Sequence, residues 1–182
     1  MTETTDKERL VRLKAGDASA FDEVFDAWRP RLFAFLVRLC GRRDLAEDLL
    51  QETWIRLACR AVDLREDTCL GPWLFRVARN LYYSHLRSRN RDAGRLGEVF
   101  AFHWPSAATR TPLEELSAGE RGRRLERAVA ALPLIYREMV LLVGVAGMSP
   151  SEAAAVAGLT PEAARKRLSR AREKLAGLME EG

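Results

Sequence analysis

The sequence predicts an all-α protein: two small helical domains joined by a flexible linker, the second ending in a helix-turn-helix. Three observations predict this class. Strand-like alternation of apolar and polar residues is absent, while apolar residues recur at helical spacing along almost the whole chain. Residues 92–118 break that pattern, carrying Gly94, Gly97, Pro105, Pro112 and several Ser and Thr residues without a sustained period. The C-terminal stretch SPSEAAAVAGLTPEAARKRLSRAREKL holds two short helical segments around a glycine, the second studded with arginine. The boundaries that follow are 1–93 for the first domain, 94–118 for the linker and 119–182 for the second.

Taken in order, Gly16-Asp17 starts a helix whose apolar positions include Phe21, Val24, Phe25 and Trp28. Pro30 is expected to interrupt it, because an interior proline lacks an amide donor and crowds the preceding turn. A second helical stretch then carries Leu32, Phe33, Phe35, Leu36 and Leu39 as far as Gly41. Asp44-Leu45-Ala46-Glu47 reads as a capping box for a helix running through Trp54 and Leu57 to about Val62. Residues 63–71, DLREDTCLG, read as a loop, and Pro72 opens a helix through Trp73, Val77, Leu81 and His85 that fades into an arginine run. Trp73 fits the apolar pattern and is expected in the core, whereas Tyr82 and Tyr83 cannot both be buried on one face. Helicity returns near Glu120 and runs to Leu132, and Pro133 separates it from an apolar helix over 134–146.

The final segment is the most specific. Ser149, Pro150 and Glu152 supply a helix N-cap, a proline at the first helical position and a capping-box glutamate. Gly158 can adopt the left-handed conformation that stops this helix, and Thr160-Pro161 starts another. In that second helix Ala164, Leu168, Ala171, Leu175 and Leu178 form one apolar face. Glu162, Lys166, Ser169, Arg170 and Glu173 point the other way, with Arg165 and Arg172 on one flank and Arg167 on the other. This is the plan of a helix-turn-helix that reads the DNA major groove. The competing reading is a surface hairpin whose arginines are merely solvated. Two features favour DNA: the nearly all-alanine stretch 153–157 allows close helix approach, and the mixed polar face can read base edges.

Charge agrees with a polyanionic partner. The 182-residue chain carries a net charge of +4 with a pI near 9.2, and the excess is concentrated. Six arginines (76, 79, 87, 89, 91 and 95) stand against Asp92 in one stretch. Six basic residues (165, 166, 167, 170, 172 and 174) stand against Glu173 in another. Two separate basic patches suggest two contacts with nucleic acid. The cysteines Cys40, Cys59 and Cys69 have no CxxC spacing and read as small buried hydrophobes in a reducing compartment. His85 and His103 are isolated from one another and from acids, so no metal, cofactor or catalytic site is expected. The N-terminus is polar, and the apolar run Met139–Met148 is too short to span a bilayer, so a soluble cytoplasmic protein is expected.

Three blocks carry a family resemblance: AEDLLQETWIRL at 46–57, PWLFRVARNLYYSHLR at 72–87, and ALPLIYREMVLLVGVAGMSPSEAAAVAGLTPEAARKRLSRAR at 131–172. In this order and spacing they resemble the extracytoplasmic-function (ECF) sigma factors, promoter-specificity subunits of bacterial RNA polymerase in the sigma-70 family. The resemblance implies that the first block binds core RNA polymerase, and the acidic side formed by Asp44, Glu47, Asp48 and Glu52, with Gln51, would suit a basic partner surface. It implies that the second block captures the melted minus-ten promoter element, with Arg76, Arg79, Arg87, Arg89 and Arg91 as cations. Asn80 matches an asparagine near the family's base pocket, and residues 63–70 match its specificity loop. It implies that the third block reads the minus-thirty-five element as duplex through Glu162, Arg165, Lys166, Ser169, Arg170 and Arg172. Lys166, Ala153, Ala164 and Ser84 depart from the family's usual residues. Val143–Ala146 is more apolar than usual and could contact another protein. Promoter DNA and core polymerase are the implied partners, and relatives are often held inactive by an anti-sigma factor. The alternative function is a stand-alone helix-turn-helix transcription regulator, which would need neither the acidic helix nor the arginine run.

Overall fold

The structure is a computed structural model and describes residues 3–92 and 119–180; the expected linker, 94–118, lies outside the described residues. The described residues form eight α-helices and a 3-10 turn, with no strand among them. The first group is α1 (Glu3–Lys14), α2 (Ala18–Cys40), α3 (Arg43–Arg60), the 3-10 turn Ala61–Asp63 and α4 (Leu70–Asp92). The second is α5 (Glu120–Ala131), α6 (Leu134–Gly144), α7 (Pro150–Ala157) and α8 (Pro161–Glu180).

Asp17 caps α2, accepting from the amides of Ser19 at 2.9 Å and Ala20 at 3.4 Å. Gly41 ends it at φ 64, donating its amide to the Val37 carbonyl. Pro30 does not interrupt this helix. Asp26, whose carbonyl loses its i+4 donor at Pro30, is exposed, as are Arg29, Pro30 and Arg31, so the proline lies on the helix's outer side. Val24, Trp28, Leu32, Phe35 and Leu36 continue a single buried stripe across the proline. Burying each such side chain is worth roughly 1.5–3 kcal/mol, which together exceeds an interior proline's cost of about 3 kcal/mol.

The capping box expected at 44–47 does not form. Helix α3 begins two residues earlier than that box would place it, after an extended Arg42 that makes no side-chain cap bond. Asp44 instead accepts from Arg42, with Nε 3.3 Å from Oδ1, and Glu47 pairs with Arg43 at 3.0 Å. Helix α4 starts at Leu70, ahead of Pro72, and stays helical through the arginine run to Asp92. Its core face holds Leu70, Leu74, Phe75, Ala78, Tyr82 and Leu86, with Phe75 edge-on to Trp28 and Phe35. Trp73 is partly buried and packs against the core. Of the cysteines only Cys40 is buried, where desolvation pushes its thiol up to about 11. Cys59 and Cys69 are exposed, because they fall on the outer face of α3 and in the loop before α4.

In the second group the Ser149 capping box forms in both directions: Glu152 N–H donates to Oγ at 3.3 Å, and Ser149 N–H donates to Glu152 Oε2 at 2.8 Å. Gly158 stops α7 at φ 67, and Thr160 Oγ1 accepts from the Ala163 amide at 3.2 Å to start α8. Ala153, Ala154 and Ala157 are buried, as are Ala164, Leu168 and Ala171 of α8, so small side chains do bring the two helices together. Val143–Ala146 is spent internally: Ala146 is buried, and Val143 and Val145 pack against the core.

The two groups are not separate in space. Helix α2 contacts α6, and α4 contacts α7. One apolar cluster runs from Leu10 through Leu86 and on through Val129 and Met139 to Leu168.

Candidate nucleic-acid and polymerase interfaces

Helix α8 turns its apolar side into the second group and leaves Glu162, Arg165, Lys166, Ser169, Arg170 and Arg172 exposed. Its polar side chains also bond along the helix: Lys166 pairs with Glu162 at 2.7 Å, and Ser169 Oγ donates to Glu173 at 3.0 Å. Such exposed pairs are weak, so they position the lysine and serine without withholding them from a ligand.

On α4 the helical repeat lines up Arg76, Asn80, Ser84, Arg87 and Arg91, all exposed. Arg87 donates to Ser84 Oγ at 2.9 Å. Asn80 Oδ1 accepts from Arg79 Nη1 at 3.1 Å. Arg89 is exposed on the flank beside His85, whose pKa is lowered by burial and then by the charge of Arg89. The loop before α4 is braced by Lys14, which donates to the Leu64 carbonyl at 2.8 Å, and by an Arg65–Asp67 pair at 3.0 Å.

Arg79 does not share that open stripe. Its side chain is 19% exposed and its Nε donates to the carboxylate of Glu138 on α6, which is fully buried. Tyr83 donates its hydroxyl to the other oxygen of the same carboxylate at 2.9 Å. The Arg79 guanidinium lies 4.4 Å from the Tyr83 ring centre, a favourable cation–π contact. Burial first, and Glu138 second, raise the Tyr83 pKa. Beside this seam, Arg137 is buried and donates to the carbonyls of Ala130 at 2.6 Å, Leu132 at 2.9 Å and Leu39 at 3.4 Å. It thus puts a cation at the C-terminal ends of both α5 and α2, where the helix dipole favours one. Farther along, Arg38 of α2 meets Glu126 of α5 at 2.8 Å.

Helix α3 buries Leu49, Leu50, Thr53 and Leu57, with Thr53 Oγ1 donating to its own helix at the Leu49 carbonyl. Its outer side is less acidic than the spacing alone implies. Asp44, Glu47 and Glu52 are paired with Arg42, Arg43 and Arg56. Among the described residues Asp48 makes no ion pair, and Gln51 is exposed beside it. The same outer side also carries apolar groups: Ile55 is 49% exposed, and Val62 in the following turn 64%.

Comparison with known proteins decides the family. Residues 24–92 match Sigma-70 region 2, and residues 122–175 match Sigma-70, region 4. ECF RNA polymerase sigma factor EcfG of Rhodopseudomonas palustris is 33% identical over 150 residues, covering 82% of this chain and 80% of that protein. RNA polymerase sigma factor CarQ of Myxococcus xanthus is 33% identical over 173 residues, covering 94% and 96%. The chain is an ECF sigma factor of the sigma-70 family. Its structure superimposes on sigma factor RpoE, solved in complex with the anti-sigma factor NepR from Bartonella quintana, with a TM-score of 0.70. That pair is 29% identical, and the match covers 88% of this chain and 96% of the other. CnrH, solved with the cytosolic domain of CnrY, shares the fold with a TM-score of 0.71 at 23% identity.

Several residues, at the seam between the two helical groups of this sigma factor or exposed on and just after α3, escaped sequence reasoning. Glu138 and Arg137 could have been flagged as an adjacent charged pair inside an otherwise apolar helix. Ile55 and Val62 carried no such signal, since isolated apolar residues on a helix do not announce their exposure. Among the described residues no group of His, Cys, Asp and Glu could hold a metal ion, and no helix is long and apolar enough to cross a membrane.

Proposed function

We propose that this sigma factor binds core RNA polymerase through α3 and directs it to promoters through two distinct DNA contacts. The single observation that carries this reading is the presence of two exposed basic helix faces, on α4 and α8, in different sequence blocks of one chain. On α8, Arg165, Lys166, Ser169 and Arg170 would reach base edges and nearby phosphates of the duplex minus-thirty-five element, with Glu162 at the helix start and Arg172 on the backbone. On α4, Arg76, Arg87, Arg89 and Arg91 would hold the backbone of the melted minus-ten strand, joined by Arg79 once it is released. Asn80 offers both a donor and an acceptor to an extruded base, and the loop 63–70 would close over it.

On α3, Asp48 and Gln51 lead a polymerase-binding face with Asp44, Glu47 and Glu52, widened by the exposed Ile55 and Val62. The functional division is then 1–93 for polymerase binding and downstream recognition, and 119–182 for upstream recognition. The protein acts by binding, in the cytoplasm where the polymerase works, and RNA synthesis is the polymerase's chemistry. An anti-sigma factor is a further proposed partner, since the similar RpoE was solved with one.

Run-off transcription with core polymerase over a random promoter library tests the reading. Transcripts from templates sharing two spaced elements, made only when both proteins are present, are expected. Tight duplex binding without polymerase, and no polymerase-dependent transcript, would instead mark a stand-alone regulator.

A further inference from the structure

We propose that Lys14 is a positioning residue for downstream-element specificity: by holding the Leu64 carbonyl it ties the loop 63–70 to α1 and fixes where that loop meets an extruded base. The proposal rests on the assignment of the loop and Asn80 to base capture.

Helix α1 precedes the stretch matched to Sigma-70 region 2, which begins at residue 24, and it is held as a strut. Leu10 and Leu13 are buried in the core, and α1 contacts both α2 and the 3-10 turn Ala61–Asp63. On one flank Arg12 pairs with Asp17 at 2.8 Å and with Glu23 at 2.7 Å, tying α1 to the start of α2. Lys7 and Lys14, two turns apart, share the opposite flank. Lys14 is half-buried, and its Nζ donates to the Leu64 carbonyl at 2.8 Å, across 50 residues of sequence. A charged donor makes a stronger hydrogen bond than a neutral one. Leu64 is extended, at φ −68 and ψ 141, so the bond grips the chain at the point where it leaves the turn.

The loop needs such an anchor. Leu64 is half-buried and Leu70 fully buried, while Arg65, Glu66, Asp67 and Cys69 between them are exposed. The bonds from the Thr68 amide to the Arg65 carbonyl and from Arg65 to Asp67, both 3.0 Å, lie within the loop and shape it without placing it. Asp63, Glu66 and Asp67 outnumber Arg65, so the phosphates of an entering strand repel this segment. Arg65 chiefly holds the Asp67 carboxyl low, and Lys7 of α1 adds a weaker attraction. A loop without its anchor would be pushed from the strand and ordered anew at each binding event, which weakens binding. A correct base gains only when its partners stand within about 0.5 Å of their productive places. A mismatched base makes few of those contacts and loses little when the loop shifts. Lys14 therefore acts on the choice of base more than on attachment to DNA as such.

Run-off transcription by the holoenzyme over templates randomised at both promoter elements, each with a transcribed barcode, reads base preference position by position. Lys14→Met keeps the aliphatic stem and removes the donor, whereas Lys14→Arg keeps a charged donor. With Lys14→Met, preference at one downstream position should fall about fivefold. Upstream preference and affinity for core polymerase should stay as in the natural chain, and Lys14→Arg should restore most of the downstream preference. Lys14→Gln, with only a neutral donor, gives the same comparison should Lys14→Met not fold. An intact downstream preference in the folded variant would overturn the proposal. So would a uniform drop in transcription with every preference retained and an earlier melting transition, since Lys14 would then only stabilise the fold. A chain carrying Arg65→Gly, Glu66→Ser and Asp67→Gly tests the loop itself. Altered downstream preference there, with none in Lys14→Met, removes Lys14 alone; no change in either removes the loop from base capture.

Discussion

Gly71 lies flat against the indole of Trp28, so close that a β-carbon on it would stand 2.7 Å from the ring's Cζ2. The glycine is buried in the first turn of α4 and lets that helix seat on α2. Gly71→Ala should therefore destabilise the protein by about 1–3 kcal/mol through overpacking, although alanine is the better helix former by about 1 kcal/mol. Denaturant unfolding measures the balance, and an unchanged midpoint would mean that the indole moves aside freely.

Asp48→Arg should impair polymerase binding more than Glu52→Lys, because Glu52 already has Arg56 as a partner. A loss of at least tenfold, about 1.4 kcal/mol, is expected for Asp48→Arg with the circular dichroism spectrum unchanged. Titration of labelled core polymerase reads it directly. Full affinity in the folded double variant would remove α3 from the interface.

Lys166→Ala should relax preference at one or two base pairs of the upstream element, each worth about 1–3 kcal/mol of discrimination. Arg172→Ala should weaken all sequences alike and flatten the salt dependence by about one unit of slope. Competition binding of holoenzyme on matched and mismatched promoters separates the two. Equal losses on both templates for Lys166→Ala would count against base reading.

The cap of α2 gives a pH signature. Hydrogen bonds from Ser19 and Arg12 hold the Asp17 carboxyl at about 2, against an ordinary 3.8. A depressed carboxyl contributes stability that is fully present above 3.8 and is lost as pH falls through about 2. Asp17→Asn keeps the capping oxygen but cannot titrate in this range. Between pH 4 and pH 2 the melting temperature of the natural chain should fall more steeply than that of the variant. Parallel curves would show that the cap contributes nothing through its charge.

What the sequence made legible was local. Asp17, Gly41, the Ser149–Glu152 box and Gly158 mark helix ends through chemistry contained in a few neighbouring residues, and the structure uses each of them. Pro30 was misleading because its tolerance depends on which face meets solvent, a tertiary property. The 44–47 box failed for a similar reason: two arginines just upstream compete for the acids that would close it. Both halves of the basic stripe on α4 looked alike in sequence, yet Arg79 and Tyr83 turn toward α6 while Arg76, Asn80 and Arg87 stay open. Nothing local distinguishes them, since their partner lies beyond the segment between the two blocks.

The unbroken apolar cluster bears on how this sigma factor can be re-engineered. Its two sequence blocks are fitted to each other and are not interchangeable cassettes. A chimera joining residues 1–93 to a relative's C-terminal half would present α2 and α4 with a surface never matched to Arg79, Tyr83 or the Leu39 carbonyl. Transplanting promoter preference should instead exchange only the outer residues of α8, at 162, 165, 166, 169 and 170, whose side chains point to solvent. Recoding those positions leaves the shared core as its own quality control.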